Sequence, residues 1–279
     1  MYLPFSGVGT RIVLAALLAH VGAASAAQIF ANGFEVDIAG WQTPTRVASG
    51  TNGVTSATGS FHAQAGTDFT RWGGYNFGAG GGVPTVFQEY TTSVDIYLDL
   101  LAATATNDVR FDFSSAINDA SGNFLRDFVL NFGFYNSTDN TAPGAGTNRF
   151  VVSASNNAGR ANSFPQNPGR DPFAISQTGW YTVQHHFYNN SGALNVDFII
   201  RNAAQSIIHS WTIASGDLIS NTGGNRYGWF VNNEFARLNI DNTFLDTATV
   251  PEPSTFALFG TGFACFALAR RRACRGLKG

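Results

Sequence analysis

Between residues 28 and 248, apolar side chains recur at every second position. In the stretch 90–100 (YTTSVDIYLDL), Thr92, Val94, Ile96, Leu98 and Leu100 fall on one side, and Ser93, Asp95, Tyr97 and Asp99 on the other. The alternation returns at 109–113, where Val109, Phe111 and Phe113 oppose Arg110 and Asp112, and at 128–134, 150–154, 194–200, 207–213 and 237–244. A period of two, rich in β-branched and aromatic residues, marks half-buried strands. Clusters of Gly, Asn, Asp and Ser at 119–123, 189–192 and 220–225 supply turns. No window of this body keeps helical spacing beyond a turn or two. The pattern predicts an all-β, antiparallel β-sandwich of ten or more strands with a jelly-roll path.

Composition sharpens that picture. Of the 279 residues 44% are hydrophobic and 12% charged, against about 25% charged in an average soluble domain. Neutral polar residues fill the loops instead. A net charge of −2 offers no concentrated basic face for nucleic acid. The two cysteines, Cys265 and Cys274, both lie in the closing segment. The body therefore has no disulfide, no cysteine nucleophile and no cysteine metal site.

The two ends break the period-two pattern. Arg11 precedes the apolar run IVLAALLAHVGAA and the small residues Ala24, Ser25, Ala26 and Ala27. A basic flank, a short apolar core and a small-residue cleavage site predict a secretory signal peptide over 1–27, cut after Ala26 or Ala27. At the other end, 255–269 is apolar and uncharged. At 1.5 Å per residue it spans roughly 22 Å, a short transmembrane helix. Arg270, Arg271 and Arg272 follow within a basic tail over 270–279 and can anchor its cytoplasmic end. Pro251 and Pro253 keep a helix from running back into the body.

In order, Val250, Pro251, Glu252, Pro253 and Ser254, then the apolar stretch and the arginines, resemble the PEP-CTERM protein-sorting signal of Gram-negative bacteria. The resemblance implies a tail over 249–279 that an exosortase, a membrane-embedded cysteine transpeptidase, recognises and processes. It implies export through the secretion machinery and signal peptidase. An inner-membrane intermediate follows, then release to the cell surface or the extracellular matrix, often beside exopolysaccharide and biofilm. It implies nothing about the body, 28–248. The body more loosely resembles concanavalin A-like and laminin G-like lectin domains, in its opening Asn32-Gly33-Phe34-Glu35, its long central strands and its closing Asn239-Ile240-Asp241-Asn242.

Catalytic constellations are thin. Asp95 and Asp99 share a strand face but stand roughly 13 Å apart at 3.3 Å per residue, too far for a glycosidase pair. The adjacent His185 and His186 point to opposite faces of a strand. The glycine-rich run 72–82 lacks the Lys-Ser/Thr ending and following helix of a phosphate loop and reads as a long loop. Trp72, Tyr75 and Trp180, with Tyr181, Tyr227 and Trp229, lie beside loops or strand ends where rings can stack on sugars or cap the core. Trp229 is expected in the core and Trp72 at the surface. Glu35 and Asp241 are candidate Ca²⁺ ligands through their oxygens; no other cofactor or metal is expected. The leading reading is an exported, non-enzymatic envelope or matrix protein. The alternative is a carbohydrate-binding module acting on the producer's exopolysaccharide, and a glycan hydrolase or lyase is the third reading.

Overall fold

The alternating segments pair into two antiparallel sheets. The computed structural model describes residues 27–67, 71–73, 85–101, 106–141, 143–156, 165–231 and 233–247, with backbone alone for 27, 28, 71–73 and 227–231. Fourteen strands occur among them: β1 (Ala27–Asn32), β2 (Thr45–Ala48), β3 (Phe61–Ala65), β4 (Arg71–Gly73), β5 (Tyr90–Leu98), β6 (Val109–Asp119), β7 (Phe124–Tyr135), β8 (Arg149–Asn156), β9 (Phe173–Ile175), β10 (Gly179–Asn190), β11 (Ala193–Asn202), β12 (Ile207–Leu218), β13 (Thr222–Val231) and β14 (Leu238–Thr247). The only helices among the described residues are short 3-10 turns. None is long and apolar enough to cross a membrane. The leader 1–26, the motif 250–254, the apolar stretch 255–269 and the basic tail lie outside the described residues. The sandwich unit covers residues 26–249.

Eight strands form one sheet, in the order β12-β11-β10-β5-β14-β3-β2, with β1 also on β14. Six form the other, in the order β4-β13-β6-β7-β8-β9. The apolar set of the central strands faces inward, because a one-residue slip would expose all of it to water. Val94, Ile96, Val183, Val196, Phe198 and Ile200 from the larger sheet are fully buried, as are Phe111, Phe128, Leu130 and Phe132 from the smaller one. Phe128 meets Phe187 edge-on across the gap, with ring centroids 5.3 Å apart.

Two details depart from simple alternation. His185 sits on the inner face and stacks on Phe113 of the opposite sheet at 4.9 Å. Its Nδ1 lies 3.0 Å from the Ser115 hydroxyl, and burial pushes its pKa down to about 3. His186 points outward to Glu89 at 3.0 Å. Secondly, Ser93, Asp95 and Asp112 occupy outer-face positions yet are buried. Pairing on both sides covers their backbones; Asp95 accepts from Thr182 and Asn242, and Asp112 from Asn131.

Candidate functional site

β14 contains a β-bulge, with a register shift between Asp241 and Phe244 and Asn242 at φ 44°. Asparagine is among the few residues that enter this left-handed region readily. The bulge falls where β14 exchanges one neighbour for another, from β3 at Leu238–Ile240 to β1 at Thr243–Thr247. The opening and closing segments therefore meet, with Asn32 opposite Thr243.

The loop 49–60 between β2 and β3 folds back over the outer face of the larger sheet. Asp241 holds it by accepting from the amides of Ala57 (3.0 Å) and Thr58 (3.3 Å). Glu35 accepts from Ser60 and Phe61, at 3.0 Å each. Gly59, at φ 61°, passes so close to the Glu35 carboxylate that a Cβ there would collide with it. Asn242 links the parts: its Oδ1 accepts from the Thr58 hydroxyl (2.7 Å) and its Nδ2 donates to Asp95 (2.8 Å).

Asp95 is the direct cross-strand partner of Asp241. The spacing argument along one strand pairs Asp95 with Asp99; the sheet pairs it with a residue 146 positions later. Asp95 also accepts from Thr182 at 2.5 Å. Burial, with the Asp95 charge added, pushes the Asp241 pKa up to about 6, although the Asn242, Thr58 and Ala57 amides pull the other way. Asp241 has no exposed surface. A hydrolytic pair needs water or substrate between its carboxyl groups; this pair is filled by the protein's own donors. The same filling bears on calcium. Ca²⁺ takes about 6–8 oxygen ligands, whereas Glu35 and Asp241 both direct their oxygens at N–H groups. Among the described residues no group of three or more His, Cys, Asp or Glu could hold a metal.

Beside this network lies an aromatic shelf. Trp180 donates its Nε1–H to Thr55 O at 2.7 Å, which ties the ring to the same loop. It stands edge-on to Tyr97 (5.4 Å) and His62 (6.0 Å). His62 is fully buried, and burial lowers its pKa despite the Asn239 hydrogen bond. Its Nε2 lies 3.1 Å from Asn239 Oδ1 and its Nδ1 3.0 Å from Ser56 Oγ. A neutral ring donating from Nε2 and accepting at Nδ1 satisfies both partners. Next to Tyr97 a cavity of about 90 Å³ is lined by Asn52, Gln64, Asp99, Arg237 and Asn239.

Of the predicted contacts, Trp180 is thus on the outer face, half-buried and fixed. The Trp72 backbone lies in β4, opposite Gly228, and the Trp229 backbone in β13. The side chains of both, and Tyr75 entirely, lie outside what is described. Tyr97, Gln64 and Asn239 are not among the contacts the sequence predicts. Each is an ordinary polar residue on an alternating strand, and only strand order brings the three together.

Residues 249–272 match the PEP-CTERM protein-sorting motif, which marks an exported protein processed by an exosortase. No curated protein matches the chain. Among solved structures it is similar to the CBM2 module of the evolved Dit protein of Lactobacillus casei BL23 phage J-1 (TM-score 0.42, 9% identity, covering 80% of this chain and 97% of that one). It is also similar to peanut lectin with a 9mer peptide (0.40, 10%, 80% and 98%). A third is lectin I-B4 from Griffonia simplicifolia in its metal-free form (0.38, 10%, 79% and 100%).

Proposed function

We propose that this is a non-enzymatic protein of the cell surface or extracellular matrix whose sandwich binds carbohydrate of the producer's exopolysaccharide without a cofactor. In this reading signal peptidase removes the leader and 255–269 holds an inner-membrane intermediate. An exosortase-type transpeptidase then acts at 250–254, with Arg270, Arg271 and Arg272 as the cytoplasmic anchor. The sorting motif supports the destination. The observation that carries the binding function is the fixed Trp180–Tyr97 shelf, with Tyr97 beside a small cavity of mixed amide, charged and apolar side chains. Flat rings contribute apolar area with little entropy loss, and a few converging polar groups fix a ligand's orientation. The closed Asp95–Asp241 pair supports a binding role over hydrolysis.

A glycan array with the purified protein tests the reading. Neutral oligosaccharides are expected to bind, and Tyr97→Ala or Trp180→Ala to weaken binding about tenfold or more, or roughly 1.4 kcal/mol. An array with no binding, or variants that bind as wild type does, would rule the shelf out.

A further inference from the structure

A second concavity, of about 360 Å³, opens at the sandwich edge between β12 and β8. That volume lies in the ~300–1,000 Å³ range of small-molecule sites. Trp211 and Thr212 of β12 form one wall; Ser155 of β8 and the turn bearing Gly169, Arg170 and Asp171 form the other. The walls are built firmly. Trp211 Nε1 donates to Asp171 O at 2.8 Å. His209 packs between Phe173 (4.5 Å, stacked) and Trp211 (4.3 Å, edge-on). Thr212 Oγ1 donates to Asp197 at 2.6 Å, and Ser155 Oγ to Asn131 at 3.0 Å.

Arg170 is the exception. Its one side-chain hydrogen bond among the described residues, from Nη1 to Ala154 O, is long at 3.4 Å. Arg170 is in no ion pair among the described residues. Its chain neighbour Asp171 has a carboxylate oxygen 3.8 Å from His209 Nε2 instead. Burial lowers the Arg170 pKa with no opposing charge, as for a cation that loses water without gaining a counter-ion. A guanidinium presents five donors in a planar fork that matches a carboxylate. Four of the five meet no protein acceptor among the described residues.

We propose that this groove binds a carboxylate-bearing sugar, a uronate unit of an acidic polysaccharide. Arg170 pairs with the carboxylate, and the sugar ring lies along the edge of Trp211 between Ser155 and Thr212. The site is on the sandwich edge, apart from the Trp180 shelf on the outer face, and it selects for charge where the shelf does not.

Calorimetric titration of the full-length protein in detergent with trigalacturonate, and with maltotriose as the neutral control, tests it. Trigalacturonate is expected to bind, more weakly at high salt because the pair is solvent-accessible and screened. Arg170→Gln is expected to reduce the affinity about tenfold or more and Arg170→Lys to retain part of it. Failure to bind trigalacturonate, affinity independent of salt, or equal loss in the Gln and Lys variants would each overturn the proposal. The salt dependence is read on the wild type, so the proposal stays testable even if a variant folds poorly. A failed glycan array at the shelf leaves this result standing, because the probes and residues differ.

Discussion

Two buried titratable residues, His185 and Asp241, pull the acid response in opposite directions. His185 has its pKa lowered from 6.5 to about 3 by burial. Its contribution to stability is complete above pH 6.5 and is lost as pH falls through the window from 6.5 to 3. Asp241 has its pKa raised from 3.8 to about 6. Its contribution is complete below pH 3.8 and is lost as pH rises through 6. Each changes stability by at most about 1.4 kcal/mol per pH unit, so between roughly pH 6 and 4 they offset. Asp241→Asn should remove the offset, so that stability falls more steeply than wild type from pH 6 to 4. His185→Phe should do the reverse. Urea midpoints measured across that range check both, and parallel pH profiles for wild type and the two variants would refute the pairing. Burial lowers the pKa values of His62 and His209 as well, but these are common to all three proteins and cancel in the comparison.

At the scale of elements, the loop joining β7 to β8 is organised around Arg149, which has no exposed surface. Its guanidinium donates to the carbonyls of Pro143 (2.6 Å), Thr147 (2.9 Å) and Thr141 (2.8 Å), and pairs with Asp139 at 2.8 Å. Gly144, at φ 72°, leaves room for its stem, where a Cβ would collide with Cδ. Arg149→Met should leave these carbonyls without their donor and Asp139 without its counter-ion. A cost of about 3–5 kcal/mol is expected, which for a domain of this size lowers Tm on the order of 10 °C. Calorimetry measures this, and hydrogen exchange should place the increase in 136–148. The strands around this loop were legible in the sequence, since alternation at 128–134 and 150–154 needs no partner to be seen. The loop was not, because a buried arginine at a strand's first position looks like any surface charge until its acceptors are placed.

For the whole molecule, the last strand made is a central one. β14 lies between β5 on one side and β3 and β1 on the other. A chain ending at 237 should therefore not fold, whereas one ending at 247 should give a β-rich circular dichroism spectrum with or without oxidant, since it has no cysteine. Such long-range pairing also makes folding slow, on the order of milliseconds to seconds. A folded 1–237 fragment would contradict this account of the sheet. Replacing Pro251, Glu252 and Pro253 with Ala should leave the full-length form in the inner membrane; cell fractionation and mass measurement check it, and identical maturation would remove the sorting role. By itself the sequence determined the strand class, the cysteine-free body and the sorting motif at 249–272. These depend on local period, composition and residue order, which involve no distant partner. Only the tertiary structure decided that Asp95 opposes Asp241, that Trp180 is tied to Thr55, and that Arg170 faces a groove with no counter-ion among the described residues. Each depends on strand order and register, which join residues far apart along the chain, and alternation along a single strand is the same whichever neighbour it meets.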